Sequence, residues 1–469
     1  MKSQTERYDI LIIGSGPAGK SAAIQAAKLG HRTAIVDAQS QIGGVCVHTG
    51  TVPSKTLRET VLNLSGWRER GFYGHSYRVK KDITASDLMQ RLDLTLQREV
   101  DIFEHQLHRN RVEILHGFAS FVNKTTVEIK TIAGDSQLVK AKRFIIAVGT
   151  RTYRPDNIPF DGVSIIDTDE VLNMKDLPRS LTVVGAGVIG VEYATIFQAL
   201  DVAVTLVEPR DSMLDFIDKE IIQYFQHDLS ENGLRLQFGQ KVGEVKKRAK
   251  GGVVVKLENG RAIASEVVLF AAGRVGATDK LGLDQVSIDV DHRGRIAVNE
   301  HFQTSVKNIY ACGDVIGFPS LASTALEQGR FATLHAFAQP VQSASEYFPY
   351  GIYSVPEISS VGMTEEEVIK KGIPYEVGIA PLSETSRGRV MGLQSGMMKS
   401  IFSLKTRRLL GVHIVGEGAT ELIHIGQAVL TLKGSLDYFL ENAFNYPTLA
   451  EAYKVAALHA HNRIVASLD

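Results

Sequence analysis

Tyr8-Asp9-Ile10-Leu11-Ile12-Ile13-Gly14-Ser15-Gly16-Pro17-Ala18-Gly19 runs on through Lys20–Leu29 to Thr33-Ala34-Ile35-Val36-Asp37. Its order is an apolar run, a glycine turn, a stretch rich in small residues and a second apolar run closed by an acid. The apolar run Ile10–Ile13 is too short for a signal sequence or a membrane span and reads as a buried strand. Gly14-x-Gly16-x-x-Gly19 is the turn, Lys20–Leu29 a helix and Thr33–Val36 the next strand. In such a unit the first glycine permits the tight turn. The second lets the backbone approach a pyrophosphate, and the third lets the helix pack against the strand. The helix N-terminus then faces the phosphates. Asp37 stands twenty-three residues beyond Gly14, near the roughly 20 expected for a carboxylate that binds a ribose hydroxyl. The unit recurs. Leu181–Val184 reads as a strand, Gly185-x-Gly187-x-x-Gly190 as a turn, Val191–Ala199 as a helix and Val204–Val207 as a strand, with Glu208 twenty-three residues beyond Gly185. Two such βαβ units predict an α/β chain with two nucleotide-binding domains. A carboxylate at Glu208 favours NAD(H) over NADP(H), because it accepts from a free 2′-hydroxyl and repels a 2′-phosphate. Arg210 is read either as a grip for that phosphate or as a solvated surface arginine.

Outward from these units the signals are weaker. Leu88, Leu92, Leu96, Val100, Phe103 and Leu107 recur at helical spacing, with Ser86 placed as the cap. Val112–His116, Ser120–Val122 and Thr126–Ile129 read as short antiparallel strands. From about Phe348 no glycine fingerprint remains. Met397–Leu404 and Leu409–Val415 suggest an antiparallel sheet, and Glu421–Leu432 and Leu449–Ser467 suggest helices of a third domain. A length of 469 residues fits about three domains. Lys plus Arg and Asp plus Glu are 52 each, so no global attraction draws the chain to nucleic acid or an anionic membrane. Cys46 and Cys312 are the only thiols. Two cysteines exclude a disulfide framework and fit a reducing cytoplasm. His413, His424, His459 and His461 show no metal-binding spacing, and no metal site is expected.

The most specific segment is Gly43-Gly44-Val45-Cys46-Val47-His48-Thr49-Gly50-Thr51-Val52-Pro53-Ser54-Lys55. It resembles the active-site stretch of the FAD-dependent pyridine nucleotide–disulfide oxidoreductases, which carry Cys-x4-Cys in a Gly-Gly-x-Cys…Pro-Ser-Lys frame. Thr304-Ser305…Ile309-Tyr310-Ala311-Cys312-Gly313-Asp314 matches the second flavin motif of that family. Ala147-Val148-Gly149 and Ala272-Gly273-Arg274 match its glycine-containing strand exits. The resemblance covers nearly the whole chain. It implies FAD as cofactor and NAD(H) and NADP(H) as substrates. The implied cofactor-binding residues are Gly14, Gly16, Gly19, Asp37, Gly44, Cys46, Lys55, Gly149, Gly185, Gly187, Gly190, Glu208, Gly273, Arg274, Gly313 and Asp314. Lys55, near the flavin N5, and its partner Glu192 are the implied catalytic pair. The implied architecture is two Rossmann-like domains, for FAD (1–150 and 276–347) and NAD(P) (151–275), with a C-terminal α+β dimerisation domain (348–469). The partners are then nicotinamide nucleotides and a second copy of the chain, as a homodimer or higher homo-oligomer.

Two departures from the family pattern redirect the chemistry. Thr51 stands where the second redox cysteine should be, and Tyr446-Pro447-Thr448…Glu451 replaces the family's His-Pro-Thr…Glu. A phenol is a poor proton shuttle for a thiolate near neutral pH. A dithiol relay needs two thiols within bonding reach. The same departures, with residues 313–323, 351–362 and 444–448, resemble the branch of the family that exchanges hydride between nicotinamide nucleotides. The expected activity is therefore reversible hydride transfer between NADPH and NAD through the flavin. An NAD(P)H:quinone or dye reductase on the same scaffold is the near alternative. A non-catalytic redox-sensing flavoprotein is the alternative of another class, and two complete nucleotide motifs argue against it.

Overall fold

A computed structural model describes residues 6–131, 133–341 and 346–466. Ser467, the expected end of the last helix, lies outside the described residues. The chain forms two compact units. One gathers residues 1–56, 89–153 and 273–344, and the other 57–88, 154–272 and 345–469.

The first unit is built on a sheet ordered Glu113–His116, Thr33–Asp37, Glu6–Ile13, Ser136–Ile146, Thr126–Lys130 and Phe118–Asn123, and Ile309–Ala311 also pairs with Ser136–Ile146. Strand Glu6–Ile13 is flanked by parallel partners on both edges. That explains its unbroken aliphatic run. Leu11 and Ile13 enter one core with Val36, Phe144 and Ile146. Ile10 and Ile12 enter the other with Ile35 and Ile145. A parallel sheet covered on both faces needs no polar alternation. Each fully buried aliphatic here contributes roughly 1.5–3 kcal/mol.

Three expectations shift. The helices begin inside the glycine fingerprints, at Pro17 and Val188, and not after them. The long helix spans Ala85–Arg109, but Ser86 does not cap it. Thr84 does: its Oγ1 accepts from Asp87 N at 3.3 Å, and the Asp87 carboxylate accepts from Thr84 N at 2.8 Å. The reciprocal pair occupies two otherwise orphaned donors, as a capping box does. Glu113–His116 pairs parallel with Thr33–Asp37, and only the next two strands form the antiparallel hairpin. A helix lies between Thr33–Asp37 and Glu113–His116, so the crossover sets their direction.

The second unit holds a five-stranded parallel sheet ordered Arg235–Gln237, Ala203–Val207, Ser180–Val184, Val267–Phe270 and Ile165–Asp167. It also holds an antiparallel sheet ordered Tyr350–Ile352, Ile358–Gly362, Leu409–Val415, Met397–Ser403 and Tyr375–Pro381. Helices Ala419–Thr431 and Glu451–Ala466 supply Ile423, Tyr453 and Ala456 to the core beside that sheet. No helix is long and apolar enough to cross a membrane among the described residues.

Candidate active site

Strand Glu6–Ile13 ends at Gly14, whose φ of +104° suits glycine. A methyl at Gly14 or Gly19 would have no room. The first would meet the Ala147 carbonyl and the second the Gly14 carbonyl, both closer than 3.0 Å. Gly16 is different. Its φ of −61° and ψ of −176° are open to any residue, and a Cβ there would meet nothing within 4 Å. Nothing in the protein itself demands glycine at 16, and the open space beside it leaves room for a group to approach the backbone. Helix Pro17–Lys28 begins beside that space with no side-chain cap and no acid in its first turn. Uncapped N–H groups and the positive end of the helix dipole suit a pyrophosphate. Asp37 closes the cradle. Its carboxylate accepts from Ser15 N and Gln39 N, both at 2.9 Å, and from the Ser15 hydroxyl. A carboxylate has about four acceptor sites, which leaves one for a ribose hydroxyl. Ser15 Oγ in turn accepts from Gly43 N at 2.8 Å, tying the fingerprint to the loop that bears Gly44 and Cys46. This donor and acceptor set fits the adenosine and pyrophosphate half of FAD.

Cys46 lies on the short helix Gly44–His48, and Thr51 opens the helix Thr51–Ser65. The two side chains are neighbours. Burial lifts the Cys46 thiol above the ordinary range, and the neighbouring Thr51 hydroxyl offsets only part of that. The position next to the sulfur is thus filled by a hydroxyl that cannot form a disulfide. Cys312 is 0% exposed and burial pushes its thiol up to about 12. Burial also raises the carboxyl of Asp314, with the Arg274 charge and the Thr150 hydroxyl pulling the other way. Arg274 donates from Nε to Thr150 Oγ1 at 2.9 Å and from Nη2 to the Thr150 carbonyl at 3.0 Å. Gln328 Oε1 accepts from Gly313 N at 2.8 Å. Gly149 (φ +65°) and Gly273 (φ +100°) both face open space. Lys55 is half-buried, its ammonium donating to Ser54 Oγ at 3.3 Å.

The second unit repeats the cradle. Gly187 has no neighbour within 4 Å of an added Cβ, whereas one at Gly190 would strike the Gly185 carbonyl. Glu208 is 3% exposed and accepts from Ala186 N at 2.6 Å. Burial raises its carboxyl, but the hydrogen bonds from Arg210 and Ala186 outweigh that and leave it below the ordinary value. Arg210 is not a free surface cation. Its Nε and Nη2 hold Glu208 at 2.8 and 3.1 Å, and its Nη1 holds Asp215 at 2.7 Å. Glu192 is buried and its Oε1 accepts from Tyr353 N at 2.9 Å.

Residues 8–329 match the family model of the pyridine nucleotide-disulphide oxidoreductases, and residues 348–457 match that family's dimerisation domain. The chain belongs to this family. Among curated relatives, it is 48% identical to the soluble pyridine nucleotide transhydrogenase of Mycobacterium bovis, over 97% of this chain and 98% of that one. The enzyme of the same name from Marinomonas is 41% identical over 98% and 99% of the two chains. Among solved structures, LpdA from Mycobacterium tuberculosis superposes with a TM-score of 0.88 at 25% identity, covering 97% of this chain and 99% of that one. The flavoprotein disulfide reductase RclA from Escherichia coli, solved as a Cu(II) complex, gives 0.87 at 26% identity, covering 97% and 99%.

Within the oxidoreductase family the C-terminal departure also has a structural counterpart. Tyr446 is exposed, and Glu451 accepts from Ser386 N at 3.2 Å. The glutamate therefore anchors the start of helix Ser386–Met391. Sequence reading missed Ser15, Thr150, Gln328 and Asp215. Ser15, Thr150 and Gln328 act through contacts made at long range or with the backbone, Asp215 acts through an ion pair with Arg210 five residues away, and no motif spacing announces any of them. Among the described residues no group of His, Cys, Asp and Glu could hold a metal ion.

Proposed function

We propose that this oxidoreductase is an FAD-dependent transhydrogenase that moves hydride reversibly between NADPH and NAD without a redox disulfide. The observation that carries the reading is the Thr51 hydroxyl beside the Cys46 thiol, at the place where a dithiol enzyme keeps its second sulfur. Bound FAD would supply the group that takes up hydride from one nicotinamide and gives it to another. The chain's part is to bind and orient. Gly14, Gly16, Gly19 and Gly44 hold the pyrophosphate, and Asp37 the ribose. Gly149, Gly313, Asp314 and Arg274 shape the flavin end, with Gly273 beside them, and Cys46 packs there as a small apolar group. Lys55 supplies positive charge near the flavin, and Glu192 is the second member of the proposed catalytic pair. Gly185, Gly187, Gly190 and Glu208 take the nicotinamide nucleotide. With no dithiol to pass electrons to, donor and acceptor use that nucleotide site in turn, so the kinetics are ping-pong.

The flavin domain is assembled from residues 1–150 and 276–347. The grouping of 1–56, 89–153 and 273–344 into one compact unit supports joining the two segments, although residues 57–88 group with the other unit. Residues 151–275 form the NAD(P) domain and 348–469 the homodimer interface. Balanced charge and two unpaired thiols fit work in the cytoplasm.

The test is absorbance of a reduced thionicotinamide analogue of NAD with NADPH as donor and no disulfide present. Turnover with parallel double-reciprocal lines is expected, and no reduction of glutathione disulfide or lipoamide. Failure to reduce the analogue together with rapid quinone reduction would replace this reading by a quinone reductase.

A further inference from the structure

The two fingerprints differ in how full their acidic residue is. Asp37 accepts three donors. Glu208 accepts four: Ala186 N, Arg210 N, Arg210 Nε and Arg210 Nη2. That fills the roughly four acceptor sites of a carboxylate. A ribose 2′-hydroxyl can therefore bind Glu208 only if Arg210 releases a contact. The backbone of this segment is fixed, since Gly239 N donates to the Arg210 carbonyl at 2.9 Å and Gln240 N to the Glu208 carbonyl at 3.0 Å. Only the Arg210 side chain is left to move, and it is 48% exposed. Asp215, 52% exposed, already holds its other end. The Arg210–Asp215 pair is half-exposed at both ends and costs little to exchange, whereas Glu208 is buried and gives up the guanidinium only to another donor.

We infer that Arg210 is the specificity-determining residue that lets one site take both nucleotides, as a mobile counter-ion of Glu208. With NAD(H), the guanidinium swings towards Asp215 and frees Glu208 to accept the 2′-hydroxyl. With NADP(H), Nε stays on Glu208 and keeps its charge compensated, while Nη1 leaves Asp215 and Nη2 leaves Glu208 to grip the 2′-phosphate. A glutamate alone would exclude the phosphate, and a planar guanidinium is suited to binding it through two parallel hydrogen bonds. This inference rests on the reading that NADPH and NAD share the second fingerprint.

The experiment uses the FAD-loaded enzyme and two probes without nicotinamide, 5′-AMP and adenosine 2′,5′-bisphosphate, measured by calorimetric titration. Their binding needs no turnover, so failure of the transhydrogenase reading appears separately, as absent transfer by the wild type. The wild type should bind both probes within about tenfold of each other. Arg210→Ala should weaken the bisphosphate about tenfold to hundredfold, the size of a lost charge-assisted bond. It should change 5′-AMP by less than about threefold. Arg210→Gln, which keeps a polar side chain without charge, should show the same selective loss if the alanine variant folds poorly, and Arg210→Lys should recover part of it. The wild-type bisphosphate affinity should fall with added salt more than that of 5′-AMP. Equal weakening of both probes would make Arg210 a structural prop for Glu208, and unchanged bisphosphate binding would remove it from recognition altogether. Either result overturns the inference, as does a wild type that prefers 5′-AMP more than about a hundredfold.

Discussion

Gly16→Ala and Gly19→Ala should fail in opposite ways, because one glycine is demanded by a ligand and the other by the fold. At Gly16 the backbone already suits alanine and an added methyl meets no protein atom within 4 Å. Its cost without FAD is small. A less favourable N-cap removes some tenths of a kcal/mol up to about 1, and the stiffer unfolded chain returns about 0.4–1. The apoprotein should therefore unfold at nearly the wild-type temperature. With FAD, the methyl stands where the pyrophosphate approaches the backbone. Loss of even one charge-assisted hydrogen bond there costs about 1.5–3 kcal/mol, or about one to two decades in affinity. At Gly19 the methyl would lie closer than 3.0 Å to the Gly14 carbonyl. The helix Pro17–Lys28 would have to lift off the strand by roughly an ångström, with overpacking strain of about 1–3 kcal/mol or more. Here the apoprotein itself should unfold earlier. The assays are thermal unfolding of deflavinated protein and fluorescence titration with FAD. The pair Gly187 and Gly190 gives the same contrast for nicotinamide binding. If apo Gly16→Ala is as unstable as apo Gly19→Ala, or if it binds FAD at wild-type affinity, the ligand-demand argument fails.

Cys46→Ser, Cys312→Ser and the double variant should keep NADPH-to-analogue transfer, with a modest loss allowed for Cys46→Ser; abolished transfer in a folded, flavin-loaded Cys46→Ser would mean the thiol carries chemistry. Because burial holds Cys46 above the ordinary thiol range, iodoacetamide should label it slowly at neutral pH and faster as pH rises, since the thiolate is the nucleophile; rapid labelling at pH 7 would contradict this. Lys55→Met should retain FAD yet slow its reduction by NADH about two to three decades in stopped flow, by analogy with a lost oxyanion-hole donor, whereas an unchanged rate would make Lys55 structural. Lys399 is 1% exposed and binds Asp218 at 2.9 Å, Glu220 at 2.9 Å and Glu365, so Lys399→Met strands a buried carboxylate and should destabilise the protein by about 3–5 kcal/mol; a denaturation midpoint like the wild type's would show that the cluster relaxes by protonation or hydration.

Both nucleotide folds were legible from the chain because the glycine fingerprint is local. Gly14, Gly16 and Gly19 are set by backbone sterics within one turn, and Asp37 and Glu208 follow at a distance fixed by one helix and one strand. The missing disulfide was equally legible, since Thr51 is a substitution at a fixed spacing from Cys46. Tertiary structure decided the rest. That Thr84 and not Ser86 caps the long helix depends on where the preceding chain enters. That Glu113–His116 runs parallel to Thr33–Asp37 depends on the helical crossover between them. Whether Arg210 is a surface cation or the clamp on Glu208 depends on Gly239 and Gln240, some thirty residues on, which pin the backbone beneath it. Spacing along a sequence specifies backbone geometry over a few residues, whereas the charge, burial and free valences of a side chain are fixed by neighbours that only the folded chain brings within hydrogen-bonding distance.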